Sequence, residues 1–134
     1  MKTYTLTRTG DRPLVFTGEV IASAGGKMHG GQDQNRYHEI TVYRTAGGKY
    51  VLEVEYCTAW SGEDGRHYAE VCDSPGAIVD ALRFCDPLEH LQGFPAHPAY
   101  ADKQARLEES LRQRWGVLVS EVLGELPGAE ERVE

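Results

Sequence analysis

Three cysteines and five histidines are the residues of this chain best suited to bind transition metals or to act as nucleophiles. Four of them follow the pattern C-x12-C-x4-H-x6-H, formed by Cys72, Cys85, His90 and His97. This pattern lacks the close C-x2-C or H-x3-H pairs that preorganise zinc ligands. Because free cysteines usually pack in cores, we interpret Cys72 and Cys85 as core thiols. We predict no metal site and no cofactor.

A cysteine nucleophile needs a histidine base nearby, and Cys57 and His67 lie on neighbouring predicted strands. In the strand pairing predicted below, however, the two side chains point to opposite faces of the sheet. Glu55 and Glu70 would also raise the pKa of the Cys57 thiol and make it a poorer nucleophile. The serines lack a nucleophile-elbow motif. We therefore assign no catalytic residue.

Carboxylates are the remaining candidates, and the predicted pairing places four of them on one sheet face with two tyrosines. Clustered carboxylates can perform acid–base chemistry, bind a hard cation or attract a basic protein. Glu39 falls directly opposite Glu55, which is unfavourable unless something compensates. The simplest interpretation of this cluster is a solvated surface of charged strand residues. As a function, we favour docking of a basic protein partner over a cation site or an active site. The predicted partner-binding residues are Glu39, Tyr43, Glu53, Glu55, Tyr68 and Glu70.

A glycine-rich segment at residues 23–36 supports an alternative function. Its sequence, SAGGKMHGGQDQNR, contains four glycines and no periodicity. It lacks the GxxxxGK[ST] spacing of a phosphate loop, and no helix follows it, so we favour a simple mobile connection. The alternative is a small enzyme or ligand-binding domain with its site between this segment and the Trp60–His67 hairpin. That site would comprise Lys27, His29, Arg36, Trp60 and His67.

Five strands are predicted to position these residues. Residues 3–8 and 14–22 alternate around the turn signal Thr9-Gly10-Asp11 and predict a hairpin. Gly18, inside the second of these strands, indicates a bulge or a close approach by a neighbouring strand. The runs HEITVYRT, KYVLEVEYCTAW and RHYAEV, joined by AGG and SGEDG, predict a three-stranded antiparallel meander over residues 37–72.

The register of the meander follows from which residues favour burial. Setting Arg44 opposite Tyr50 gathers apolar residues on one face, whereas a one-residue slip would set Val42 against Glu53. For the second hairpin we predict Trp60 opposite His67, which sets Thr58 opposite Ala69 and Tyr56 opposite Val71. The predicted core face then comprises Ile40, Val42, Leu52, Val54, Tyr56, Trp60 and Val71.

Two helices follow the meander. Ser74 and Pro75 form a helix start, and apolar residues at helical spacing predict a helix over 75–84. Residues 86–99 carry three prolines and predict an irregular connector. A helix is predicted over 100–126, with its apolar stripe running from Leu107 to Leu126. Residues 127–134 then form an acidic flexible tail, so residues 1–126 comprise a single α+β domain in which both helices cover one face of a five-stranded sheet.

Charge and composition exclude several classes of protein. The chain has 134 residues and a net charge of −7. An acidic surface repels phosphates and disfavours duplex nucleic acid, while stacking of single-stranded bases on Tyr43 and Tyr68 is a minor alternative. An odd cysteine count with no signal segment and no long apolar run predicts a cytoplasmic protein without disulfides or membrane spans. The sequence leaves the oligomeric state open.

Overall fold

The fold is an antiparallel sheet followed by two helices, confirming the predicted α+β architecture. The computed structural model describes residues 1–25, 35–60 and 62–134, so Lys27 and His29 lie outside the described residues. The strands are β1 (Lys2–Arg8), β2 (Asp11–Gly25), β3 (Arg36–Thr45), β4 (Tyr50–Thr58) and β5 (Arg66–Cys72). Helix α1 (Pro75–Phe84), a single 3₁₀ turn (Pro98–Tyr100) and helix α2 (Ala101–Glu125) complete the chain.

Each strand pairs with its neighbours in sequence, in the order β1-β2-β3-β4-β5. The predicted register of β3 against β4 is confirmed, with Val42 opposite Leu52 and Ile40 opposite Val54. Gly18 marks a close approach of β3, because a Cβ at this position would collide with the carbonyl oxygen of Arg44. The register shift of β2 lies nearby, between Val20 and Ala22.

The predicted register of β5 is wrong by five residues. Val71 pairs with Val51 rather than with Tyr56, and because five is odd, every β5 side chain lies on the face opposite to the predicted one. The reason is the connection after β4, which is longer than the predicted turn. The strand ends at Thr58, and β5 begins only at Arg66. Trp60 and Val71, predicted to be core residues, are each 46% exposed.

The sheet curls and thereby buries part of the face opposite the helices, which the sequence predicts to be exposed to solvent. We call this face the curled face. The edge strands meet where Thr9 N donates to His67 O at 2.8 Å and His67 N donates to Thr9 Oγ1 at 2.9 Å. Tyr43, which we predicted to be part of the partner-binding surface, and Val51 are buried inside this curl. The main core lies between the sheet and the helices. Tyr43 and Val51 belong instead to a second apolar cluster, which comprises Leu6, Tyr43, Val51 and Ala69, with Tyr4, Leu14 and Phe16 packed against it.

Both helices pack on the other face, as predicted. The Ser74 side chain accepts a hydrogen bond from Ala77 N and caps α1, whose residues Ile78 and Leu82 are buried. Helix α2 is continuous and buries Leu111, Trp115, Leu118 and Val122 against the sheet. In the described ranges, no helix is both long enough and apolar enough to cross a lipid bilayer.

The second apolar cluster predicts a specific pattern of stability. Val51 is 1% exposed, so we expect Val51→Ala to lower the free energy of unfolding by about 2 kcal/mol. Val15 is 61% exposed, and Val15→Ala should change it by less than about 0.5 kcal/mol. Urea denaturation of both variants measures the difference. Equal effects would mean that the curl encloses no second core.

Candidate functional site

A cavity of about 610 Å³ lies on the helix-covered side of the sheet, between β4, β5, α1 and the segment after α1. We call it the helix-side cavity. Aromatic and apolar side chains supply much of its lining, including Val54, Tyr56, Ala81 and Trp115. Its volume and lining are typical of sites for small organic ligands, which are mainly apolar with a few directed polar groups.

His38 is the first of these polar groups. Its side chain lines the helix-side cavity and the residue is only 6% exposed. The imidazole contacts the rings of Tyr56 and Trp115, with centroids 5.1 and 4.9 Å away, and forms no hydrogen bond with the described residues. Burial, reinforced by the positive charge of Arg114, lowers the pKa of His38 to about 4. At neutral pH the ring is therefore uncharged, with one donor and one acceptor nitrogen.

Arg66 is the second polar group of the helix-side cavity. It pairs with Tyr56 across the β4–β5 ladder. Its Nε–H is covered from solvent and has no hydrogen-bond partner in the part of the chain that the structure describes. A buried donor without a partner costs about 1–3 kcal/mol. Because a water-sized atom does not reach Nε in this conformation, a bound molecule would recover that cost by supplying an acceptor as the Arg66 side chain shifts towards the cavity.

The rim of the cavity is acidic. Tyr68 and Glu70, predicted to lie on the other face, line this cavity because of the true β5 register, and the Tyr68 hydroxyl donates to Glu70 Oε2. Further carboxylates come from Asp73, Asp80, Asp86 and Glu89. Burial and nearby carboxylates raise the pKa of Cys72 and of Cys85 to about 11, so both thiols stay protonated at neutral pH.

A buried ion pair lies beside the helix-side cavity. Arg36 Nε donates to Glu63 Oε1 at 2.9 Å, and the Tyr56 hydroxyl donates to the same oxygen at 2.7 Å. Gln92 N donates to Glu63 Oε2 at 2.9 Å. Burial alone would raise the pKa of Glu63, but these hydrogen bonds outweigh it and lower the pKa. Glu63 was missed in the sequence because SGEDG has the composition of an exposed turn.

The curled face holds the other three glutamates of the predicted acidic cluster, Glu39, Glu53 and Glu55. Glu39, Glu55 and Cys57 each offer a ligand atom, and these atoms lie within 4.8 Å of one another. His67 also lies on this face, contrary to our prediction, with Nδ1 3.9 Å from Glu55 Oε1. These residue types can hold a divalent cation. Burial and Glu55 raise the pKa of Cys57 to about 11, so the thiol would have to lose its proton to ligate a metal.

The structure therefore brings together only some of the residues in each of the two predicted sites. Of the partner-binding set, Glu39, Tyr43, Glu53 and Glu55 lie on the curled face, and Tyr43 is buried with its hydroxyl donating to Glu53 at 2.7 Å. Of the alternative ligand site, Arg36 and Trp60 do meet, with the guanidinium carbon 4.8 Å from the indole centroid. His67 lies apart from them, on the curled face.

No protein-family model matches the chain, and neither curated proteins nor solved structures gave a significant match.

The burial of neutral His38 predicts a pH dependence of stability. Its pKa is about 6.5 unfolded and about 4 folded, so between these values the unfolded chain binds the proton more strongly and stability falls as pH falls. From pH 7 to pH 5 we expect His38 to contribute a loss of about 2 kcal/mol. In the His38→Gln variant this contribution should disappear. Urea denaturation at each pH measures it, because the free energy of unfolding should then depend less steeply on pH. Identical slopes would contradict the burial of a neutral imidazole.

Proposed function

We propose that this protein binds a small organic ligand in the helix-side cavity, without performing chemistry on it. The observation that supports this most directly is a large, partly apolar cavity lined by Arg66, whose buried Nε has no hydrogen-bond partner among the described residues, and by the buried, uncharged ring of His38. Folded proteins rarely retain buried polar groups without partners, and such exceptions need a reason. A bound ligand with hydrogen-bond acceptors would explain why the protein retains such a group.

The lining also restricts the chemistry of the ligand. The lining of the cavity combines the positive charge of Arg66 with five carboxylates, those of Glu70, Asp73, Asp80, Asp86 and Glu89. A strongly anionic molecule would be repelled by this rim. The ligand that fits is an uncharged or weakly cationic molecule with an aromatic or aliphatic body and a carbonyl or hydroxyl oxygen at its inner end.

The protonated thiols agree with binding rather than catalysis. Cys72 and Cys85 both line the cavity, and thiols with a pKa of about 11 are poor nucleophiles at neutral pH. A histidine with a pKa of about 4 is also a weak general base at that pH. The groups around the ligand therefore favour recognition by shape and hydrogen bonding.

A thermal-shift screen of uncharged aromatic compounds tests this function. We expect compounds that raise the midpoint of unfolding with concentration, because a ligand that binds only the folded state stabilises it. The shift should be lost in Ala81→Phe, which fills the cavity, and strongly reduced in Arg66→Met, which removes the unpartnered donor.

Control variants with the same residue changes are available at exposed positions on α2 and α1. Val117 and Arg83 are exposed and lie outside the cavity lining, so Val117→Phe and Arg83→Met should leave the shift unchanged. Compounds whose shift survives Ala81→Phe bind elsewhere. A screen in which no compound raises the midpoint would contradict the proposal.

Docking of a basic partner on the curled face remains a second candidate, on fewer residues than predicted. It is favoured by the direct cross-strand pairing of Glu39 with Glu55, which is unfavourable between like charges. Among the described residues, the cationic partner in an ion pair with Glu55 is His67, which is charged only when protonated. A basic surface would relieve this repulsion and would be steered towards it.

Charge reversal tests the second candidate. Glu39→Lys/Glu55→Lys should slow association of an octalysine peptide about tenfold at low salt, and the difference should shrink as salt rises. Glu53 is left unchanged because it accepts the Tyr43 hydrogen bond. Glu130→Lys/Glu131→Lys makes the same charge change in the C-terminal tail. Stopped flow measures the association rates. If both variants slow association equally, the effect comes from net charge alone, and the curled face is not a specific docking site.

A further inference from the structure

A second pocket, of about 270 Å³, is lined in part by Arg36, whose guanidinium forms the buried pair with Glu63. Its lining includes Arg36 and Trp60 from the sheet side, Phe94 from the connector, and Lys103, Arg106 and Arg114 from α2. We call it the basic pocket. It shares no lining residue with the helix-side cavity.

The charge of this pocket is opposite to that of the protein. The chain has 14 basic and 21 acidic residues, yet four basic and no acidic residues of the described chain line this pocket. Glu63 neutralises Arg36, and Arg114 donates to the carbonyl oxygen of Arg36 at 2.7 Å. Lys103 and Arg106 form no ion pair with the described residues, so their charges are available to an anion.

Trp60 gives the basic pocket a flat aromatic surface. One face of the indole is covered by the Arg36 guanidinium, yet the side chain remains 46% exposed. The contact with Arg36 holds this exposed indole in place. An indole fixed in this way is a stacking platform for another planar ring.

We propose that the basic pocket binds a small aromatic phosphate, with the ring stacked on Trp60 and the phosphate held by Lys103 and Arg106. The aromatic contact and the two unpaired cations lie in the same pocket, and together they distinguish this class of ligand from a bare anion or an uncharged ring. The pocket volume of about 270 Å³ lies just below the usual range for small-molecule sites, so the bound molecule must be small. The proposal does not depend on the ligand of the helix-side cavity.

Calorimetric titration with adenosine monophosphate, adenosine and inorganic phosphate tests the proposal on the full chain. We expect adenosine monophosphate to bind at least about tenfold more tightly than either of the other two probes, because only it satisfies both the platform and the cations. Trp60→Ala should weaken its binding about fivefold or more. Lys103→Glu/Arg106→Glu should weaken it at least about tenfold.

The matched control is Lys49→Glu/Arg83→Glu, which changes the net charge equally at exposed residues outside the pocket. It should leave the affinity within about twofold. Equal losses in the two double variants would reduce the binding to a general electrostatic effect and overturn the proposal. Phosphate that binds as tightly as adenosine monophosphate would overturn the role of Trp60. Absence of binding at millimolar probe would overturn the site itself.

Discussion

The buried carboxylate of Glu63 is the group on which the arrangement of the rest of the structure depends. It accepts hydrogen bonds from Arg36 of β3, Tyr56 of β4 and the backbone of Gln92 in the connector after α1. A buried charge without a partner is costly, so these three segments must meet at one point. Tyr56 lines the helix-side cavity and Arg36 lines the basic pocket. The same carboxylate oxygen therefore positions one wall of each.

The path of the chain to Glu63 also determines what each face of the sheet presents. After β4 ends at Thr58, the chain places the Glu63 carboxylate inside, and β5 starts only at Arg66. Because of the way β5 pairs with β4, the side chains of Arg66, Tyr68 and Glu70 line the helix-side cavity. His67 and Ala69 go to the curled face. The register of β5 thus adds Glu70 to the acidic rim of the helix-side cavity, whereas the basic pocket takes its cations from β3 and α2.

The sequence determined those parts of the fold in which burial favours one arrangement strongly. The register of β3 against β4 was predictable because a one-residue slip would place Val42 against Glu53. The two helices were predictable from the Ser74 cap and from apolar spacing. The sequence RHYAEVC of β5 carries polar and apolar residues on both faces, so hydrophobicity could not select its register. The candidate sites depend on that register and on the burial of Glu63, and neither leaves a local pattern in the sequence.

The sequential order of the strands has a consequence for the rate of folding. Every strand pairs with the next one along the chain, so the sheet can grow by adding one hairpin at a time, with low loop-closure cost. The docking of α2 is different, since it packs on β2 and β3, and Ser23 meets Glu125 across 102 residues. That long-range contact requires most of the chain to be present. The sheet should therefore form early, and the closing of the main core by the C-terminal helix should be the slow step.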